Sequence, residues 1–249
     1  MNNAESGIIF CKHNDESVVD KIFRTVMLTM NNSVDFYTKL TLNDYREIVK
    51  DTQIKLNSQN YAAQIATQCE VAIKEYIKED KFFIQTNLYL RASRPYVEKR
   101  TESIGWHRES FYGPNMQKSV NIWTPIFGVN EKNTLRFIPK SQLINDSQIV
   151  TKQISDGATK KGSTGNIIGF LYSPKIIVEG VDLTIDEPMN VPKNHSAIFP
   201  GSLIHGAAMN ASEHIRFSVD FRILPFSAYN PEEAKQLHIS SGKPYFELF

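Results

Sequence analysis

The sequence predicts a mainly β protein with a helical flank: a sandwich or barrel of short strands preceded by helices. Three observations carry this expectation. Apolar residues recur at helical spacing through the first third of the chain. After Lys81 the texture changes to short alternating or β-rich runs. Turn-forming residues separate those runs, at Gly113-Pro114-Asn115, Gly128-Val129-Asn130 and Pro200-Gly201. At 249 residues the chain is long enough to bury its own core without a disulfide, and we expect one domain over residues 1–249: a helical flank at 1–80, a β core at 81–225 and a C-terminal extension at 226–249.

The elements follow in order. Asp15 or Ser17 is placed to cap a helix whose Val18, Val19, Ile22, Phe23 and Val26 share a face. A second helix begins near Thr41 or Asn43, with Leu42 and Tyr45 to Val49 on its apolar side. A third runs over roughly 61–79, with Ile65, Cys69, Ala72, Ile73, Tyr76 and Ile77 aligned. Strands are expected at 82–91, 120–127, 134–138, 175–178, 195–199 and 215–221. The small polar stretch at 156–165 reads as a surface loop.

Composition narrows the function classes. A formal net charge of +1 offers no global attraction to nucleic acid or to an anionic membrane. Cys11 and Cys69 are the only cysteines, without a CxxC pair, so a thiolate zinc site is not expected. The apolar run at 7–11 is too short and has too little positive charge before it for a secretory leader, and no stretch approaches a membrane span. The expectation is a cytoplasmic protein with neither a nucleic-acid nor a membrane partner, whose function lies in a local site.

Three segments carry chemistry. In Gly105-Trp106-His107-Arg108-Glu109 an imidazole and a carboxylate are two residues apart. On a strand they would face the same space and could bind adjacent positions of one metal. In Phe199-Pro200-Gly201-Ser202-Leu203-Ile204-His205, a Pro-Gly turn leads to a second strand that delivers another imidazole. Two histidines and one carboxylate form a facial triad, which leaves coordination positions open and suits non-haem Fe(II). Downstream, Arg216 and Ser218 share a strand face. A buried guanidinium beside a hydroxyl can clamp the far carboxylate of a keto acid that chelates iron at its other end.

At these residues the sequence resembles the Fe(II)/2-oxoglutarate-dependent oxygenase superfamily, and within it the phytanoyl-CoA dioxygenase-like branch. The resemblance rests on His107-Arg108-Glu109, Val120 to Pro125, Leu135 to Ser141, Pro200-Gly201 to His205, and Arg216-Phe217-Ser218, and covers roughly 82–224. It implies a double-stranded β-helix (jelly-roll, cupin-like) core packed by the N-terminal helices. It also implies iron held by His107, Glu109 and His205, and 2-oxoglutarate and O2 as co-substrates. Arg216 and Ser218 would grip the 2-oxoglutarate, with Asn121 as a further contact. Most of the branch carries His-x-Asp; this chain has His-x-Glu. The Pro139-Lys140-Ser141-Gln142 stretch looks like the branch's Pro-x-Ser-His with Gln in place of the final His.

The activity so implied couples oxidative decarboxylation of 2-oxoglutarate, to succinate and CO2, with hydroxylation of a small molecule. Desaturation or ring closure would use the same residues. Trp123 and the basic stretch holding Arg91 and Arg94 supply candidate substrate contacts, the arginines suiting an anionic group. The competing reading is a cupin-like metal-dependent isomerase, lyase or binding protein, which would have no need of Arg216 and Ser218. Substrate identity, stereochemistry and oligomeric state are not encoded legibly.

Overall fold

The first-third helices form where the periodicity places them. In α1 (Ser17–Thr29), Val18, Val19, Ile22 and Val26 are buried, and both oxygens of Asp15 accept from Ser17 at its start. α2 (Leu42–Ser58) is capped by Thr41, whose hydroxyl accepts from the Asp44 amide at 3.2 Å. The expected third helix is two: α3 (Tyr61–Gln68) and α4 (Glu70–Ile77), interrupted at the buried Cys69. There the Cys69 amide is shared between the Ile65 and Ala66 carbonyls, tightening one turn. α4 ends at Lys78 in the left-handed conformation.

This computed structural model describes residues 6–15, 17–30, 34–96, 105–153, 175–207, 209–234 and 244–249. The loop expected at 156–165 lies outside them. The described strands are β1 (Ile9–Lys12), β2 (Phe82–Gln85), β3 (Tyr89–Ser93), β4 (Val120–Phe127), β5 (Leu135–Phe137), β6 (Val150–Gln153), β7 (Lys175–Glu179), β8 (Glu187–Pro188), β9 (His195–Pro200), β10 (His205–Ala207), β11 (Arg216–Pro225) and β12 (Phe246–Leu248). A seven-stranded antiparallel sheet runs β1-β9-β4-β11-β2-β12, with β3 also pairing β11. A smaller sheet runs β10-β5-β8, and β6 pairs β7. Among the described residues, the two main sheets do not close into a barrel. The mainly β fold with a helical flank is as expected.

The division of the chain differs from expectation at both ends. The apolar run at 7–11 supplies edge strand β1, and the C-terminal extension supplies edge strand β12. Each is too short to announce itself by alternation. The strand expected over 82–91 is β2 and β3, separated by a three-residue break.

Period-two alternation places the site. On β11, Phe217, Val219, Phe221 and Ile223 enter the apolar cluster shared with α1–α4, as do Val120 and Ile122 of β4. The opposite face of β11 carries Arg216, Ser218, Asp220 and Arg222, all buried. Trp123 of β4 points the same way, into a second cluster with Leu135, Phe137, Ala197, Phe199 and Leu203. Polar β11 side chains thus line the space between the sheets.

Candidate metal and co-substrate site

His107, Glu109 and His205 converge. All three are buried, and one donor atom from each lies within 4.8 Å of the others. Glu109 Oε1 is 3.8 Å from His205 Nε2 and 4.0 Å from His107 Nε2. Among the described residues, no other group of three or more His, Cys, Asp or Glu is so arranged.

The local structure that does this is not the expected strand. His107 pairs with His205 in an isolated bridge, exchanging both backbone hydrogen bonds at 2.9 and 3.0 Å. Glu109 then opens a short 3-10 helix (Glu109–Tyr112), its amide donating to the Gly201 carbonyl at 2.8 Å. The Pro-Gly turn is therefore a structural neighbour of the carboxylate. A Cβ on Gly201 would stand 2.7 Å from the Ser119 carbonyl oxygen and 3.1 Å from Glu109 Cβ, so only glycine fits there. Between the two motif donors, Arg108 is buried facing away. Its guanidinium donates to the Ile144 and Ser141 carbonyls and to Asp146, and Ser141 Oγ accepts from the Ile204 amide.

Both imidazoles are set in one tautomer. His107 Nδ1 lies 2.8 Å from the Gly105 carbonyl oxygen and His205 Nδ1 2.9 Å from that of Leu203. A carbonyl only accepts, so each Nδ1 carries the proton and each Nε2 presents its lone pair. Burial holds the His107 pKa well below the ordinary histidine value, and the neighbouring His205 lowers it further. Burial also lowers that of His205, against the opposing pull of Glu109. Neutral imidazoles are what a metal requires.

The other expected residues divide. Asn121 of β4 stands opposite Arg222 across the sheet and Trp123 opposite Asp220. Four of the sequence-expected residues each carry a buried polar atom with no hydrogen-bond partner: His107 Nε2, Asn121 Nδ2, Arg216 Nε and Ser218 Oγ. Buried polar atoms are ordinarily paired, so this set fits a polar ligand. Arg216 donates from Nη1 to the Asn133 carbonyl at 2.9 Å, which orients its fork, and burial lowers its pKa to about 10. Arg91 is ion-paired to Asp220. Arg94 donates to the Tyr37 and Leu40 carbonyls and stacks over Tyr45, tying β3 to the helical layer. Trp123 is held in the apolar cluster rather than among the polar groups.

The sequence reading missed Asp220 and Arg222. Arg222 forks onto Glu109, Nε to Oε2 and Nη2 to Oε1, each at 3.1 Å, while its Nη1 donates to Asp220 at 2.9 Å. A usable signal was present: Arg216, Ser218, Asp220 and Arg222 alternate with aromatic and β-branched residues. Tyr89, Tyr112 and Tyr245, whose pKa values burial raises, complete the surroundings. The Tyr112 ring meets His107 edge-on at 5.7 Å.

The buried His-Glu-His group between the sheets has the donor set of a mononuclear non-haem metal site and could hold one ion. The family model described as phytanoyl-CoA dioxygenase (PhyH) matches residues 29–218, about three quarters of the chain, and the chain belongs to that family. The general reaction class is that of the family, the dioxygenases. A search of curated protein sequences returned no match. Solved structures share the fold at low identity. EvdO2 from Micromonospora carbonacea var. aurantiaca is 13% identical, with TM-score 0.57 over 89% of this chain and 88% of that one. The epimerase SnoN, in complex with Fe3+, alpha ketoglutarate and nogalamycin RO, is 12% identical, with TM-score 0.54 over 98% and 94%. The non-heme monooxygenase ThoJ is 12% identical, with TM-score 0.54 over 89% and 75%. Among the described residues, no helix is long and apolar enough to cross a membrane.

Proposed function

We propose that this chain, acting as one domain over residues 1–249, is an Fe(II)/2-oxoglutarate-dependent dioxygenase that hydroxylates a small molecule in the cytoplasm. His107, Glu109 and His205 hold the iron; Arg216, with Ser218 and Asn121, holds 2-oxoglutarate. When bound, this pair supplies the oxidising power, 2-oxoglutarate leaving as succinate and CO2 while O2 provides the oxygen inserted into a substrate C–H bond.

The observation that carries the reading is the set of four orphaned polar atoms on His107, Asn121, Arg216 and Ser218. They had been singled out in the sequence for a metal and a keto acid. Each now has an unmet hydrogen-bonding or ligating capacity inside the protein, where such a capacity costs free energy unless a ligand meets it. A metal-binding isomerase or sugar-binding module would leave Arg216 and Ser218 without a purpose.

The chain's own residues have separable duties. The Gly105 and Leu203 carbonyls keep the two Nε2 lone pairs available. Asn133 holds Nη1 of Arg216 and leaves Nε unpaired, where it would be available to the co-substrate carboxylate. The apolar cluster around Trp123 and Phe199 excludes water, and the Phe199 ring packs edge-on against His205 at 5.0 Å. The substrate's charge is not assigned: Arg94 belongs to the helical layer, and Arg91 is balanced by Asp220. Similar solved structures named as an epimerase and a carbocyclase keep other outcomes of the same chemistry in view.

The test is succinate release. Anaerobically prepared protein with Fe(II), 2-oxoglutarate and then O2 should form succinate slowly without substrate and faster with a true substrate. Iron-dependent O2 consumption without succinate would refute the assignment.

A further inference from the structure

Glu109 is gripped by Arg222, which lies beyond the stretch the family model matches. We propose that Arg222 is a positioning residue that restricts Glu109 to one-oxygen coordination of the metal, keeping a coordination position open for O2. This rests on the metal site proposed above.

A glutamate has a freedom that an aspartate on the same backbone lacks. Its extra methylene lets the carboxylate turn and chelate one ion through both oxygens, a mode glutamates commonly adopt. In an octahedral site, two imidazoles and one carboxylate oxygen leave three positions. A chelating keto acid takes two, and one remains. A chelating glutamate would fill that last position and leave none for O2.

The structure closes this route from the carboxylate side. A carboxylate has about four lone-pair positions, two on each oxygen. The side-on Arg222 fork, Nε to Oε2 and Nη2 to Oε1 at 3.1 Å each, uses the inner position on both. The outer positions that remain diverge, so one ion can reach only one of them. Oε1 is the oxygen facing both imidazoles, at 3.8 and 4.0 Å. Oε2 faces Arg222.

Arg222 is itself fixed in place. It is 5% exposed, its Nη1 donates to Asp220 at 2.9 Å, and Asp220 is held in turn by Arg91. Its backbone amide donates to Gln85 Oε1 at 3.0 Å, and its guanidinium lies over the Tyr89 ring. With five donors in a planar fork, arginine can satisfy both carboxylates at once, which lysine cannot.

The experiment counts water on the metal. Mn(II) replaces iron, and water-proton relaxation is measured on the full chain with Mn(II) and 2-oxoglutarate saturating. Wild type should retain one exchangeable water. Arg222→Gln should lose it, relaxation falling to that of a complex with no bound water, and Arg222→Lys should lose it in part. Because Arg222→Gln leaves two buried carboxylates without their fork, Arg222→Lys is the fallback if the glutamine variant does not fold. The double variant Glu109→Gln/Arg222→Gln should regain the water, since an amide coordinates through its single oxygen. A merely structural arginine would not give that recovery. Unchanged relaxation in Arg222→Lys and Arg222→Gln, with wild type binding Mn(II) and 2-oxoglutarate, overturns the inference alone. Failure of wild type to bind Mn(II) overturns the metal site beneath it.

Discussion

Replacing Arg216 by methionine separates anchoring from folding, because the structure gives the two roles opposite signs. Methionine keeps much of the stem's volume and removes the fork. In the ligand-free protein Arg216 is a buried cation whose hydrogen bond is to the Asn133 carbonyl and whose Nε has no partner. Removing a poorly compensated buried charge is close to neutral for stability or favourable, even with one carbonyl left unpaired. Binding should respond in the other direction. Each hydrogen bond to a charged group is worth about 1.5–3 kcal/mol, and the free edge of the fork can make two. The expected loss is therefore at least about 3 kcal/mol, or roughly two orders of magnitude in 2-oxoglutarate affinity. The assay is anaerobic calorimetric titration of 2-oxoglutarate into Mn(II)-loaded protein, with thermal melts of the ligand-free forms alongside. Ser218→Ala, which removes one hydroxyl, should cost about 1 kcal/mol, close to fivefold. Equal affinity in wild type and Arg216→Met would refute the anchor. A large drop in ligand-free stability would show that the arginine serves folding instead.

Other outcomes follow from the same geometry. Gly201→Ala must displace either the Ser119 carbonyl or Glu109, contacts at 2.7 and 3.1 Å that cannot relax cheaply; an overpacking cost of about 1–3 kcal/mol is expected, together with weaker metal binding, and an alanine variant with native metal affinity would contradict the close packing. His205→Ala and His107→Ala should each abolish succinate formation and weaken Fe(II) binding while leaving the circular dichroism spectrum unchanged. Ligand-free stability should fall in acid: burial, with a smaller contribution from His195, lowers the His13 pKa from 6.5 to about 4, so its contribution is complete above pH 6.5 and is lost as pH drops toward 4. That single group accounts for about 3 kcal/mol, and the depressed His107 and His205 add in the same direction; a flat stability profile between pH 7 and 4.5 would contradict these burials.

The sequence was most legible where one period dominated. The helical stripe of Val18, Val19, Ile22 and Val26 and the alternation along β4 and β11 are strong local signals, and the elements formed there. Edge strands β1 and β12, four and three residues long, depend on partners distant in the chain. His107 and Glu109 do converge with His205, but not by the strand geometry expected from their spacing. The pair converges through a bridge to His205 and a hydrogen bond to Gly201, contacts that no local pattern encodes. Arg94 was expected to contact substrate, and its charge is engaged instead by Tyr45 and two carbonyls of the helical layer. Arg222 was overlooked although its place in the β11 alternation marks it, because the motif was read as ending at Ser218.

On the proposed function, iron and 2-oxoglutarate share one buried site. The most direct measurement is anaerobic addition of Fe(II) and then 2-oxoglutarate, following the weak visible charge-transfer absorption of the chelate. A band that needs both components and is absent in His205→Ala is the expected result. Iron binding without any band on addition of 2-oxoglutarate would contradict it.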